Sequence, residues 1–200
     1  MARARALAAS TPRAILGLVG APGAGKSTLA QRVAGEVGEA ARLVPMDGFH
    51  LAGAELERLG CADRKGAVDT FDAAGYVALL RRLRDPVEEV VYAPEFRREI
   101  EEPIAGAIAV PRAVRLIVTE GNYLLVEDGP WGAVRGLLDE VWFVAPEEDV
   151  RIERLVARHV AHGRTPEAAR EWSLGTDQRN AEMVVLTRAR ADVVVQVGVL

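Results

Sequence analysis

Residues Ala14 to Thr28 read AILGLVGAPGAGKST. The apolar run Ile15 to Val19 predicts a short buried strand. Gly20 to Ser27 then fit the phosphate-binding pattern G-x-x-x-x-G-K-[ST] at every fixed position. Glycines in such a loop let backbone N–H groups surround phosphate oxygens, and the helix that begins near Lys26 directs its positive dipole end at the same anion. The stretch therefore predicts a nucleoside triphosphate site.

Two side chains at the end of this loop carry the chemistry of the motif. Lys26 is placed to reach the β- and γ-phosphates, and Ser27 to bind Mg²⁺. The alternative is a chance glycine-rich turn, but a strand precedes this loop and a helical pattern follows it. We expect ATP and Mg²⁺ as cofactors. The predicted nucleotide-binding loop comprises Gly20, Ala21, Pro22, Gly23, Ala24, Gly25, Lys26, Ser27 and Thr28.

Composition limits the class of protein. The 200 residues, 50% hydrophobic and 27% charged, predict one globular domain over residues 1–200. A net charge of −4 argues against a nucleic-acid or anionic membrane partner. The single cysteine, Cys61, excludes an intramolecular disulfide and a cysteine-based zinc site. No apolar run approaches the roughly 20 residues of a membrane span, and no secretory signal is visible, so we expect a cytoplasmic protein.

Short apolar strands alternate with helical patterns along the chain. This order predicts an α/β fold, a three-layer sandwich whose mainly parallel sheet is flanked by helices. A short helix is expected before the first strand. Asp72 is expected to cap a helix over 73–83, and Thr165 to cap the helix that starts at Pro166. The other strands are predicted over 42–46, 87–92, 104–110, 115–119, 140–144 and 192–197. The other helices are predicted over 28–38, 51–60, 131–138, 146–162 and 166–191, the last with a break at 175–177.

An acidic residue follows the second predicted strand, in the sequence Asp47-Gly48-Phe49-His50. The carboxyl ends of parallel strands form the crevice where α/β folds bind ligands. There Asp47 would face the γ-phosphate and accept the proton of an attacking hydroxyl. Taken alone, the residues fit an ordinary Asp-Gly turn equally well.

A second carboxylate, Glu120, follows the apolar strand predicted over 115–119. An acid at the end of a strand downstream of a phosphate-binding loop is the Walker-B arrangement, which holds Mg²⁺ or its waters. The alternative is a plain turn at the strand end. Ser27 and Glu120 are therefore the predicted metal-binding residues.

Two charged loops supply candidate substrate contacts. In the polar loop 61–72, Lys65 and Arg64 could bind an anionic group; the alternative is a solvated loop. The segment 93–103 is dense in charge and carries Phe96, and Tyr92 directly precedes it. The alternative interpretation is an exposed hairpin whose charges are only solvated. The predicted substrate-binding residues are Asp47, His50, Lys65, Tyr92, Phe96 and Arg97.

A row of arginines marks the helix predicted over 146–162. Arg151, Arg154 and Arg158 recur at positions i, i+3 and i+7 and so share a face. Such a row predicts a lid, roughly residues 151–166, that closes on ATP and stabilises the charge of the moving phosphoryl group. The alternative is an exposed face that pairs with the neighbouring glutamates.

These motifs together resemble the P-loop kinases that include uridine kinase, phosphoribulokinase and type I pantothenate kinase. The resemblance covers most of the chain. It implies that Asp47 is the catalytic base and that Arg154 and Arg158 belong to the lid, which completes a catalytic set of Lys26, Asp47, Glu120 and Arg158. It rests on GAPGAGKST, Asp47 to His50, Arg64 to Gly66, Asp69 to Asp72, Val91-Tyr92, Glu120 to Asn122 and Arg151 to Arg164.

The resemblance implies transfer of the ATP γ-phosphate to a hydroxyl of a small metabolite, by a chain that is a candidate homodimer. The pattern is most similar to small bacterial proteins labelled nucleoside/nucleotide kinase family, some of them fructokinase-like. The chain is much shorter than pantothenate kinase and does not reproduce the uridine-kinase pattern near Tyr92. The acceptor therefore stays open between a nucleoside, a pantothenate-like alcohol and a sugar. The alternative is a regulatory NTPase or nucleotide-sensing adaptor without a small-molecule acceptor, although N-K-x-D and L-S-G-G-Q motifs are absent from the sequence. A third possibility is a nucleotide-binding protein that has lost catalysis, against which the intact Lys26, Asp47 and Glu120 argue.

Overall fold

Over residues 1–197 the chain forms seven strands, which are β1 (Ala14–Val19), β2 (Ala41–Leu43), β3 (Val90–Arg97), β4 (Glu102–Pro111), β5 (Leu116–Gly121), β6 (Glu140–Pro146) and β7 (Val193–Val197). Five of them form one parallel sheet in the order β2-β5-β1-β6-β7. The other two, β3 and β4, pair in a separate antiparallel hairpin. This is a computed structural model that describes residues 1–197. The mainly parallel sheet predicted from the apolar runs is confirmed. The last three residues of the domain predicted over 1–200 lie outside the described residues.

Helices cover the sheet, and two of them begin at the predicted capping residues. The side chain of Asp72 accepts a hydrogen bond from the backbone of Gly75, and Thr165 does the same for Ala168. None of the helices within residues 1–197 combines the length and apolar character that crossing a membrane requires. The helices are α1 (Ala2–Ser10), α2 (Lys26–Val37), α3 (Gly53–Arg58), α4 (Ala73–Arg84), α5 (Glu148–Ala161), α6 (Pro166–Leu174) and α7 (Thr176–Leu186).

The central strand β1 is buried on both faces, as a strand of a parallel sheet should be. Ile15 belongs to the core on the side of α4, together with Tyr76. Leu16 belongs to the core on the side of α2, together with Ala30 and Val33. Alternate residues of β1 therefore serve two cores, which makes the three layers of the fold.

The sheet brings the two predicted phosphate-site motifs together. β1 and β5 are parallel neighbours, and their register pairs Leu18 with Glu120 and Val19 with Gly121. The loop that follows β1 therefore begins beside the end of β5. Because the carboxyl ends of parallel strands lie along one edge, this edge is the expected place for a ligand.

The second predicted strand is shorter than expected, and this changes the setting of Asp47. β2 ends at Leu43, and the last ladder bond nearby runs from the Val44 backbone N–H to the Val118 carbonyl oxygen, 2.8 Å away. Pro45 has no N–H to continue a ladder. The chain therefore turns into a 3₁₀ segment, Met46–Phe49, and Asp47 lies on that turn.

Several helix boundaries also differ from the predicted ones. The helix predicted over 131–138 is instead two 3₁₀ segments, Gly129–Ala133 and Arg135–Leu137, in a stretch whose glycines disfavour a continuous helix. The helix predicted from residue 146 begins at Glu148, since Pro146 still belongs to β6. The last predicted helix ends at Leu186 and is followed by a 3₁₀ turn, Arg188–Arg190.

The charged segment after residue 92 is a hairpin. β3 continues to Arg97, and β4 returns from Glu102, so the predicted strand over 104–110 is confirmed within a longer one. The pairing shifts register between Ala93 and Glu95. This irregularity surrounds Pro94, which cannot donate to the ladder.

Candidate active site

A cavity of about 550 Å³ lies beside the ends of β1 and β5. Lys26 and Ser27 of the phosphate-binding loop line it, and so does Asp47 on the turn after β2. Glu120 comes from β5 and Arg158 from α5. Four separate elements of the fold thus bring the predicted catalytic set to one cavity.

The phosphate-binding loop holds Lys26 in a buried position. Gly23 and Gly25 have φ angles of +81° and +89°, a left-handed conformation that glycine adopts without strain. The Lys26 Nζ donates to the Ala21 carbonyl oxygen at 3.1 Å and to the Asn122 Oδ1 at 2.7 Å. Burial lowers the pKa of Lys26 to about 8, although the nearby Glu120 and Asp47 carboxylates oppose that shift. A desolvated ammonium between two neutral acceptors favours an anionic ligand.

Ser27 and Glu120 form an oxygen-rich pair at the floor of the cavity. The Ser27 hydroxyl donates to the Glu120 Oε1 at 2.8 Å. Burial raises the pKa of the Glu120 carboxyl, and the Asp47 carboxylate raises it further. A cation near these oxygens would relieve both effects, and hydroxyl and carboxylate oxygens are ligands that Mg²⁺ accepts. The two residues therefore fit the predicted metal site.

Asp47 lies between two basic neighbours. Its Oδ2 is 3.4 Å from an Arg98 guanidinium nitrogen, and its carbonyl oxygen is 2.8 Å from the His50 Nδ1. Because a carbonyl oxygen only accepts, Nδ1 of His50 carries the hydrogen and Nε2 is the acceptor. Burial also lowers the pKa of the His50 imidazole, which favours this neutral form. The turn thus presents one carboxylate and one imidazole acceptor.

Gly48 lets the hairpin approach the turn that carries Asp47. A Cβ at this position would lie 2.5 Å from the Pro94 carbonyl oxygen, which is closer than van der Waals contact allows. We expect Gly48→Ala to lower the free energy of unfolding by about 1–3 kcal/mol, because the clash can be relieved only by moving backbone. Urea denaturation measures this change.

Gly35 in α2 offers the matched control for Gly48. A Cβ there meets no atom within 4 Å. We expect Gly35→Ala to raise the free energy of unfolding by about 0.5–1 kcal/mol, since alanine is the better helix former. Equal effects of the two substitutions would contradict the close approach at Gly48.

The three arginines on one face of α5 have three different environments. Arg151 is 2% exposed and donates to the Pro22 carbonyl oxygen at 3.0 Å, which ties α5 to the phosphate-binding loop. Arg154 lines a second cavity of about 430 Å³, beside Gly25 and Thr28. Arg158 lines the main cavity, where burial and the nearby Arg98 guanidinium lower its pKa. Arg158 therefore faces the predicted reaction site, whereas Arg151 stabilises the contact between α5 and the phosphate-binding loop.

The predicted substrate contacts divide into two groups. Tyr92 and Arg97 do not line the main cavity; Tyr92 is 58% exposed, and Arg97 pairs with Glu95 at 3.1 Å. Side chains alternate along β3, so Phe96 lines the cavity and its neighbour Arg97 does not. The predicted residues that line the main cavity are Pro22, Lys26, Ser27, Asp47, His50, Lys65, Phe96, Glu120 and Arg158.

Several cavity residues were not predicted. Arg98 follows Arg97 at the end of β3, and strand alternation could have pointed to it. Asn122 lies two residues after Glu120, and its place in the Glu-Gly-Asn motif could have indicated that it belongs to the site. His159 and Asp177 are joined at 2.7 Å across α5 and α7. Their spacing of 18 residues crosses a helix boundary, so no local pattern could have found this pair.

Comparison with known proteins agrees with this geometry. The model of the phosphoribulokinase/uridine kinase family matches residues 15–199. An "ATP-dependent kinase-like protein notR'" of Aspergillus versicolor is 37% identical over 152 residues, which cover 72% of this chain and 88% of the relative. A "Putative uridine kinase C227.14" of Schizosaccharomyces pombe is 33% identical over 198 residues, covering 92% of this chain and 83% of the relative.

A crystal structure shows the same architecture. It is that of a "putative fructose transport system kinase" from Silicibacter sp. TM1040, which superposes with a TM-score of 0.84 at 35% identity. The match covers 96% of this chain and 98% of that one. The phosphate-binding loop, the acid at the end of β5 and these similarities agree: the chain belongs to the phosphoribulokinase/uridine kinase family and is a small-molecule kinase.

Proposed function

We propose that this chain transfers the γ-phosphate of ATP to a hydroxyl of a small metabolite, with Asp47 as the general base. The observation that carries the proposal is the single cavity lined both by Lys26 and Ser27 and by the Asp47 carboxylate. A phosphate donor bound on the loop and an acceptor bound beside Asp47 would share this space. Transfer needs that proximity, because most of the catalysis of phosphoryl transfer is positioning and charge stabilisation.

The donor half of the proposal uses both cavities. Lys26 and the N-terminus of α2 bind the phosphates, and the cavity beside Gly25 and Thr28 takes the nucleoside half of ATP. Ser27 and Glu120 would hold Mg²⁺, which when bound neutralises phosphate charge. Within the described part of the chain, no group of three or more His, Cys, Asp or Glu residues is arranged to hold a metal. The remaining ligands would be phosphate oxygens and water, as is usual for Mg²⁺.

The acceptor half of the proposal uses Asp47 and the arginines. As the acceptor oxygen bonds to the γ-phosphorus, its proton passes to the Asp47 carboxylate, and the bond from that phosphorus to the β–γ bridging oxygen breaks so that ADP leaves. Arg158 stabilises the negative charge on the transferring group, since its half-buried guanidinium lines the same cavity. Closure of the lid, roughly residues 151–166, would exclude water and so suppress hydrolysis of ATP.

An acceptor screen tests this proposal. Purified protein with Mg²⁺ and ATP is offered nucleosides, pantothenate and related alcohols, and sugars and sugar acids, and ADP formation is followed. We expect at least one compound to raise ADP formation well above the rate with water alone. If no compound does so while ATP still binds, and a protein partner raises the ATPase rate instead, the transfer proposal fails in favour of a regulatory NTPase.

A further inference from the structure

We infer that the acceptor is a hydroxylated metabolite that carries an anionic group, a carboxylate or a phosphate, bound by Lys65 and Arg98. This inference rests on the proposed function, because it names the class of acceptor for the same site. It comes from the charges, contacts and ring packing around Asp47 in the main cavity.

Lys65 carries a charge without a counterion. Its Nζ donates to the backbone carbonyl oxygen of Glu101. Among residues 1–197, no carboxylate oxygen lies within 4 Å of that nitrogen in an ion pair. The side chain is half-buried and lines the main cavity. A half-buried ammonium whose protein partner is neutral can accept an anionic partner at low cost.

Arg98 is only loosely paired. Its contact with the Asp47 Oδ2 is 3.4 Å, longer than the 2.7–2.9 Å that is typical of a charge-assisted hydrogen bond. In the proposed reaction the Asp47 carboxylate faces the acceptor hydroxyl. Arg98, whose side chain is 43% exposed and lines the cavity, is then open to an anionic group on the acceptor. Its planar guanidinium suits a carboxylate or a phosphate in particular.

The other carboxylates that line the cavity do not neutralise these two cations. Glu120 accepts from Ser27, and Asp177 is paired with His159. Glu101 is exposed on the hairpin turn, where water screens its charge. Lys65 and Arg98 therefore leave positive charge in the cavity that Asp47 lines.

An aromatic wall adjoins Lys65 in this cavity. The His50 ring centroid is 4.0 Å from that of Phe71 and 4.6 Å from that of Phe96, and the Lys65 Nζ lies 5.5 Å from the Phe96 centroid. Ring faces pack against the C–H groups of a carbon skeleton, and the His50 Nε2 can accept from a second hydroxyl. The wall and the cations together suit a short polyhydroxylated skeleton with a terminal anion.

Matched pairs of acceptors test the inference. The pairs are D-gluconate and sorbitol, D-glycerate and glycerol, and D-ribose 5-phosphate and D-ribose, each assayed for kcat/KM with saturating ATP and Mg²⁺. In at least one pair we expect kcat/KM to be about 100-fold higher for the anionic member, since two hydrogen bonds to a charged group are gained. Preference for the acid pairs or for the phosphate pair identifies which anion is used, and either supports the inference.

Three variants connect the preference to the named residues. Lys65→Gln and Arg98→Gln should each lower kcat/KM for the anionic acceptor by about 10- to 100-fold, and for its neutral partner by less than about threefold. Arg112→Gln is the matched control, because Arg112 is an exposed arginine at the other end of the same hairpin, where it pairs with Glu89. We expect it to behave as the wild type.

The outcomes separate the inference from the proposed function. If a neutral compound is phosphorylated as well as its anionic partner or better, the inference is wrong and the proposed function stands. If the anion is preferred but Lys65→Gln and Arg98→Gln keep that preference, the inference is also wrong. If none of the compounds accepts phosphate, in these pairs or in the wider screen, the proposed function fails and the inference fails with it.

Discussion

Asp47→Asn is expected to lower kcat for acceptor phosphorylation by about 10²- to 10⁴-fold, the usual contribution of a positioned general base. Asparagine keeps the size and polarity of the side chain but cannot take the proton of the attacking hydroxyl. KM for the acceptor should change far less than kcat, because the lost interaction belongs to the transition state. Steady-state kinetics with the acceptor found in the screen measure both constants.

Asp63→Asn is the control for this substitution. Asp63 lies on the exposed 3₁₀ turn Ala62–Arg64 and does not line the main cavity. Its kcat should equal that of the wild type. Both variants should fold, since the Asp47 contact with Arg98 is a partly exposed ion pair that contributes about 1 kcal/mol or less. A folded Asp47→Asn protein with kcat within about twofold of the wild type would rule out Asp47 as the base.

Lys26→Met should lower kcat/KM for ATP by about 10²- to 10³-fold, because it removes a desolvated cation aimed at the phosphates. Methionine replaces the stem of the lysine but not its charge. The same change should leave the free energy of unfolding unchanged or raise it. Burial already disfavours the Lys26 ammonium and lowers its pKa to about 8, and no carboxylate oxygen of residues 1–197 lies within 4 Å of its Nζ.

These two readouts distinguish a functional lysine from a structural one. Kinetics of the Lys26→Met variant should show the lower kcat/KM for ATP, whereas urea denaturation should show no loss of stability. Lys26→Arg should not restore activity, since a larger planar guanidinium does not fit a buried position that an ammonium occupies between Ala21 and Asn122. A Lys26→Met protein that unfolds much more easily, with kinetics like those of the wild type, would contradict this role.

The parts of the fold that were predictable are those with a local signal. The fixed motif Gly20 to Ser27 directly follows the strand β1 and leads into the helix α2, and each of the three parts constrains the next. Asp72 and Thr165 cap the helices predicted to follow them, because a capping side chain acts within three residues. Periodicity could not show that Pro45 would end β2 early, since the apolar pattern continues through Met46.

The candidate site was predictable only in part, for the same reason. Asp47 and Glu120 stand out because each follows an apolar strand. Lys65 comes from a loop and Phe96 from β3, and these segments meet only in three dimensions. Arg98 directly follows Arg97, so the sequence does not show which of the two arginines reaches the cavity. The side chain that reaches the cavity depends on the register of the β3–β4 hairpin, which shifts at Ala93. A shift of one residue exchanges the two faces of a strand, so charge density alone could not choose between adjacent arginines.

The destination of the γ-phosphate tests the central claim most directly. ATP labelled in its γ-phosphate is incubated with Mg²⁺, the protein and the best acceptor of the screen, and the label is counted in the phosphorylated acceptor and in free phosphate. A transferase in which Asp47 is the base should place most of the label in the acceptor, and Asp47→Asn should abolish that transfer. Label that appears only as free phosphate, at the same rate with and without every acceptor, would contradict the assignment of this cavity to phosphoryl transfer.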